Sequence, residues 1–170
     1  MQTRTRLIIF LLTFFVLSGV LGYASTTSLS KSDAASLSQG LQGITENTLG
    51  IFKNNVLIAL GEFVPLFGPG LGIYSSYDTG LVLAALAQSN PSAGITGFES
   101  FIILLLTPIF WLEFFRYSLA VEESVSVIVS FRNKDFRTRE WKWLVGSVGL
   151  VVVTLFVSAQ LEVSLINFLS

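Results

Sequence analysis

No cysteine and no histidine occurs in the 170-residue chain, and each absence removes a class of chemistry. Without cysteine there is no disulfide framework, no thiolate nucleophile and no iron–sulfur ligand. Without histidine the commonest general base and metal ligand is missing, so Ser-His pairs and His-Glu zinc sites are excluded. Charge is also scarce, at 12% of residues against about 25% in an ordinary soluble domain. The net charge of −1 shows no bias toward nucleic acid.

What is present is apolar: 52% of residues are hydrophobic and the mean hydropathy is +0.72. A chain of this kind is an integral membrane protein with the lipid bilayer as its first partner. A helix needs about 20 mostly apolar residues to cross the hydrocarbon core. The first candidate, "LIIFLLTFFVLSGVLGYA" at 7–24, follows Arg4 and Arg6. A signal peptide cleaved near Gly22-Tyr23-Ala24 is the competing reading, and the length of the apolar run favours a retained helix. Residues 25–50 are polar and rich in Ser, Thr and Gly, yet Leu37, Leu41, Ile44 and Thr48 fall at helical spacing. They read as an external segment that is either an amphipathic surface helix or, in its first half, a loop.

From Ile51 to Gln88 the chain is apolar but interrupted by Pro65, Gly68, Pro69, Gly70 and Gly72. The interruption makes either one kinked span or a tight hairpin of two short ones. The basic loop decides between them. A single span would leave Arg132, Lys134, Arg137, Arg139 and Lys142 outside, against the positive-inside rule, whereas a hairpin brings them to the cytoplasm. The expectation is an all-α, polytopic transmembrane helix bundle of about five spans, one broken by a Pro/Gly-rich turn, forming a single membrane domain over 1–170. The spans are 7–24, 51–67, 71–88, 99–121 with a helical extension toward 130, and 143–162. The N-terminus and the basic loop 131–142 are cytoplasmic. Trp141 and Trp143 flank that loop as an interfacial anchor, and Trp111 lies inside a span. A re-entrant element is an alternative for the two short spans.

Ionisable residues inside spans are costly and face the protein interior or a wet cavity. At about 100° per residue, Arg116 lies about 60° from Glu113 and about 20° from Glu123 around a helix, on one stripe with Ala120 between. A carboxylate–guanidinium–carboxylate ladder is expected from the three. Glu122 falls on nearly the opposite face, near the cytoplasmic end, where it can reach water. The structural alternative makes this ladder a lock on helix packing. The functional one makes Glu113, with Glu62 and Asp78, a polar centre for an ion, a lipid head group or a partner's helix.

Catalysis lacks its groups. An aspartyl intramembrane protease resembles Tyr77-Asp78 in one helix but needs a second aspartate in a GxGD setting. "GPGLG" holds none, and Asp33 and Asp135 lie in polar loops. Glu122-Glu123 resembles the paired glutamates of glutamate-dependent intramembrane proteases, without their downstream arginine and histidine partners. The reading is a protein that is not an enzyme, with no cofactor and no metal site.

Three stretches carry a resemblance: "GIFKNNVLIAL" (50–60), "GPGLGIYSSYDTGLVLAA" (68–85) and "LTPIFWLEFF" (106–115). In order and spacing they resemble the stage II sporulation protein M family of multispan prokaryotic membrane proteins, over roughly residues 45–160. The matching positions are Phe52, Asn54 and Asn55; Gly68, Gly70 and Gly72; Asp78 with Gly80; and Pro108 with Glu113. The chain departs from the family pattern at Ile109, where the family has histidine, and at Asp78-Thr79-Gly80, where it has Asn-Gly. The resemblance implies a membrane scaffold or accessory subunit of a protein complex, partnered by other integral membrane proteins or by copies of itself. Physically, one of Asn54 and Asn55 can cap a helix end while the other bonds a neighbouring span. Gly68, Gly70, Gly72 and Gly80 permit close backbone approach, and Gly72, Ser75 or Ser76, Gly80 and Ala84 form a small-residue line for helix contact. The runner-up function is an ion or small-solute transport component using the intramembrane carboxylates Glu62, Asp78 and Glu113.

The chain's lack of cysteine gives topology a clean test. A cysteine placed at Asn133 is expected to react with an impermeant thiol reagent only after the membrane is opened. Labelling from outside intact cells contradicts the cytoplasmic loop.

Overall fold

Proline, glycine and hydroxyl side chains set the helix boundaries in this apolar chain. The computed structural model describes residues 3–45, 48–132 and 138–169. Among them are seven α-helices, one short 3-10 turn and no strand. The helices are α1 (Thr3–Ser25), α2 (Lys31–Thr45), α3 (Thr48–Glu62), α4 (Gly68–Ser89), α5 (Gly97–Leu105), α6 (Pro108–Arg132) and α7 (Thr138–Leu169). The all-α class is as expected.

Each boundary has a local cause. At the end of α1 the hydroxyls of Ser25 and Thr26 each donate to a carbonyl three residues back, Gly22 and Tyr23, at 2.7 Å. The Ser30 hydroxyl then accepts from the Asp33 amide at 3.2 Å and caps α2, so the polar segment is helical from Lys31 to Thr45. Pro69 sits in the first turn of α4, where a missing N–H is no loss. The turn before it holds Leu66 at φ 73°, the left-handed region that a branched side chain rarely enters. α5 opens with a capping box between Thr96 and Glu99.

The expected span 99–121 is two helices. α5 and α6 meet at an 86° bend. Pro108 removes a donor and disfavours helical geometry in the residue before it, so the helix stops and restarts there. The restart is capped: Thr107 Oγ accepts from the Phe110 amide at 3.3 Å. The Trp111 indole donates to the freed Leu105 carbonyl at 3.0 Å.

Long-range contacts fix the direction of each helix. Arg6, near the start of α1, reaches Glu123, near the end of α6, and so does Ser147 near the start of α7. Ser124 of α6 donates to the Val64 carbonyl just after α3, at 3.0 Å. At the other end Gln88 of α4 bonds the Leu29 amide and the Thr27 carbonyl beyond α1, at 3.2 and 3.1 Å. One end therefore gathers the start of α1, the α3–α4 turn, the end of α6 and the start of α7. The opposite end gathers the end of α1, the end of α4 and the start of α5.

α6 is the central element, packed against α1, α3, α4, α5 and α7. One apolar cluster joins Leu17 and Leu21 of α1 to Phe101, Phe110, Phe114 and Tyr117. A second joins Ala59 and Phe63 to Ala120, Val151 and Leu155 on the other flank of α6. The α2 helix packs against α4 and α3.

Two helices are long and apolar enough to cross a membrane, α1 and the stretch Trp141–Ser164 of α7, and a third is reached if α5 and α6 count as one bent span. That is fewer than the five spans the sequence suggests. The physical reason is that α3 has only 15 residues and α4 carries Asp78 among serines and tyrosines. The centre of the basic loop, residues 133–137 with Asp135, lies outside the described residues, as do the side chains of Leu41 and Ile44.

Close packing between α1 and α4 rests on glycine. A Cβ on Gly80 would run into the Leu21 carbonyl and the Ala24 methyl, whereas one on Gly70 would meet nothing within 4 Å. Gly80→Ala is therefore expected to lower stability by about 1–3 kcal/mol through overpacking. Gly70→Ala is expected to raise it by about 0.5–1 kcal/mol through lower backbone entropy. Thermal unfolding of the two variants in one detergent checks the contrast, and equal shifts contradict it.

Candidate functional site

Buried charge converges on α6 from three neighbouring helices. Arg116 is fully buried, with 0% of its side chain exposed. Its Nη2 lies 3.7 Å from Glu113 Oε1 and its Nη1 donates to the Asn55 carbonyl of α3 at 3.4 Å. Its guanidinium also stands over the Tyr117 ring, 3.8 Å from the centroid. The Asn55 amide donates to Glu113 Oε1 at 3.2 Å, closing a three-residue tie between α3 and α6. Glu162 of α7 and Glu62 at the end of α3 lie within the field of the same guanidinium.

The expected ladder is split. Glu123 shares a stripe with Arg116, but seven residues of helix put about 10 Å of rise between them. The partner of Glu123 is Arg6 of α1, whose Nη1 lies 2.7 Å from Glu123 Oε1 and 3.5 Å from Glu122 Oε2. Ser147 of α7 donates to Glu123 Oε1 at 2.9 Å. Arg6 also approaches the Trp143 ring at 5.7 Å from its centroid. Glu122 does not reach water as its helical position suggests. It is 3% exposed and accepts from the Ser126 hydroxyl, because the start of α1 covers that face of α6.

Of the expected polar centre, Glu113 pairs with Arg116, Glu62 bonds Ser75 of α4 instead, and Asp78 joins neither. Glu62 is fully buried and accepts from Ser75 of α4 at 3.0 Å. Asp78 is half-buried further along α4, with no hydrogen bond or ion pair to another described residue. The second Glu62 oxygen, the second Glu123 oxygen and the Nε and Nη2 of Arg116 are buried without a hydrogen-bond partner. No group of three or more acidic side chains fit for a metal ion occurs among the described residues.

The motif positions divide in the same way. Asn55 bonds the neighbouring α6, as one of the two asparagines was expected to do. Asn54 caps no helix end: it lies well inside α3 and donates to Asn55 at 3.5 Å. The Phe52 ring meets Phe156 of α7 edge-on at 5.6 Å. A Cβ on Gly68 would collide with the Glu62 carbonyl and Ser124, and one on Gly72 with Val121 at 2.8 Å. The small-residue line of α4 is buried throughout, at Gly72, Ser75, Ser76, Gly80 and Ala84. Gly70 is the exception and touches no neighbour.

Sequence reasoning missed Arg6, Ser147 and Glu162 as members of the polar groups around α6. Arg6 reads only as a topogenic charge, since nothing local announces a partner 117 residues away. Gly22 and Gly97 were missed as well, and they abut Phe101 and the Ser25 carbonyl. No family model, curated protein or solved structure matches this chain.

Removing one partner of a buried ion pair leaves an uncompensated charge and costs about 3–5 kcal/mol. Arg6→Met is expected to destabilise the protein by that amount, and adding Glu123→Gln is expected to recover part of the loss. A double-mutant cycle on thermal unfolding measures the coupling, and additive effects contradict the pairing.

Proposed function

We propose that this chain is a non-catalytic integral membrane scaffold or accessory subunit of a larger membrane complex, built as a five-span bundle with its N-terminus in the cytoplasm. The observation that carries this reading is that buried polar and charged side chains tie the helices to one another. Asn55, Glu113 and Arg116 tie α3 to α6, Arg6 with Glu122 and Glu123 ties α1 to α6, Ser147 ties α7 to α6, and Ser75 with Glu62 ties α4 to α3. Polar groups engaged in this way hold helices in register and leave an apolar perimeter for other membrane proteins. That perimeter includes Leu12, Phe15, Leu57 and Val153, each at least 60% exposed.

The five-span count draws on the alternating directions of α1, α3, α4, α6 and α7. A 15-residue helix rises about 22 Å, short of the roughly 30 Å hydrocarbon core. α3 packs against α4, α6 and α7 with one side and exposes Leu57 on the other, and the exposed Leu66 and Phe67 suit a turn at the lipid boundary. The resemblance to the stage II sporulation protein M family points the same way, because its motif positions Asn55 and Glu113 make one interhelical tie and Gly68, Gly72 and Gly80 make close contacts.

The second reading, a component of ion or solute transport, draws on the buried oxygens of Glu62 and Glu123 and the buried Nε and Nη2 of Arg116 that have no hydrogen-bond partner. Against it, the apolar grooves beside α6 are lined by none of Glu62, Asp78 and Glu113. Glu113→Gln separates the two. The scaffold reading expects a several-fold loss of assembly with membrane partners or with a second copy, measured by quantitative recovery after mild solubilisation. It also expects no ion flux from proteoliposomes of the unmodified protein. Unchanged assembly with loss of a measurable flux establishes transport instead.

A further inference from the structure

Two apolar grooves open on the outside of the bundle and meet at one side chain, Phe115 of α6. The first, of about 590 Å³, lies between α6 and α7 and is lined by Phe115, Leu119, Gly146 and Leu150, with Lys142 and Trp143 at its start. The second, of about 720 Å³, lies between α1 and α6 and runs past Phe10, Phe14 and Trp111 to Pro108 at the helix break. Because α7 runs opposite to α6, the path leads from Lys142 past Phe115 to the interior of the bundle's length. It is polar at one end and apolar along the rest.

The charge exposed among the described side chains at its polar end has one sign. Among the described side chains, the exposed charges at that end are Arg4, Arg132 and Lys142, all cations. The acids there, Glu122 and Glu123, are buried and engaged by Arg6. A lysine beside a tryptophan at the mouth of an apolar groove suits an amphiphile whose head is anionic, since the ammonium attracts the phosphate and the indole sits at headgroup level.

We propose that this path is a binding site for an anionic phospholipid, with the headgroup phosphate at Lys142 and the acyl chains laid along the two grooves on either side of Phe115. The inference needs the protein to lie in a membrane and is independent of the scaffold reading. A protein without partners can hold the lipid, and a scaffold can lack it.

Gly146 provides a block. Gly146 lines the groove and a Cβ there meets nothing within 4 Å, so Gly146→Trp adds its bulk at the groove wall. Native mass spectrometry of the full chain, after exchange into phosphatidylglycerol or phosphatidylcholine of equal chain length, reads the bound lipid. The expected result is at least tenfold preferential retention of phosphatidylglycerol. Gly146→Trp abolishes that retention with thermal unfolding unchanged, and Lys142→Gln reduces the preference several-fold. If Gly146→Trp fails to fold, the exposed Lys142→Gln carries the test alone. Equal retention of the two lipids, or retention unchanged in the variants that fold, overturns the site. Recovery of a protein or of a second copy cross-linked in the groove in place of lipid overturns it too.

Discussion

The buried charge on α6 is the constraint around which the other helices are arranged. Arg116, Glu122 and Glu123 are each no more than 3% exposed. Moving such groups out of water costs several kcal/mol per ion, and the loss is offset only where opposite charges and hydrogen-bond donors arrive in good geometry. α6 has too few of these of its own. Glu113 pairs with Arg116 within the helix, but the remaining acids depend on α1 and α7. A helix charged on several faces has no lipid-facing side to spare at those levels, so it becomes the centre of the bundle. The apolar clusters on its two flanks follow from that position.

Small residues make the arrangement physically accessible. Charged side chains reach their partners across helices only if the backbones approach closely. The contacts at Gly68, Gly72 and Gly80 bring α4 against α6 and α1. Gly68 lies beside Ser124 and Ser75 bonds Glu62, so close packing and polar pairing are adjacent along α4. In an apolar solvent the hydrophobic effect gives no drive between helices, and close contacts and interhelical hydrogen bonds carry the association. The 86° bend at Pro108 adds a second device. It tucks α5 against α1 and α4, and Thr107 and Trp111 each bond a backbone group at the break.

The membrane reading also explains an outer surface that is apolar where a soluble protein's is not. Aromatic side chains crowd the α1–α6 face, where Phe14 stacks on Trp111 at 5.7 Å and Phe10 meets Phe115 at 5.3 Å. Among the described side chains, the charges exposed at the end where α1 starts are the cations Arg4, Arg132 and Lys142, with Trp143 beside them. Exposed apolar side chains and internal charge pairing thus occupy separate zones of the same helices.

The sequence by itself determined the all-α class, the apolar solvent, most helix positions and the identity of the costly residues. These are local properties: apolar runs set helices, proline and glycine end them, and a charge within an apolar run is visible wherever it pairs. It also set one of Asn54 and Asn55 against a neighbouring span, without saying which, and the small-residue line of α4 at a contact. Tertiary structure decided which charges meet. A stripe on one helix gives an angle but no distance, so Glu123 was legible as a companion of Arg116 when its partner is Arg6, a residue 117 positions away. Glu122 was placed toward water by its own helix and is buried by another. The proline at 108 was legible, but the size of the bend was not, because an 86° turn depends on what α5 packs against after the helix stops. Local rules fix where helices begin and end. Only packing brings their side chains together.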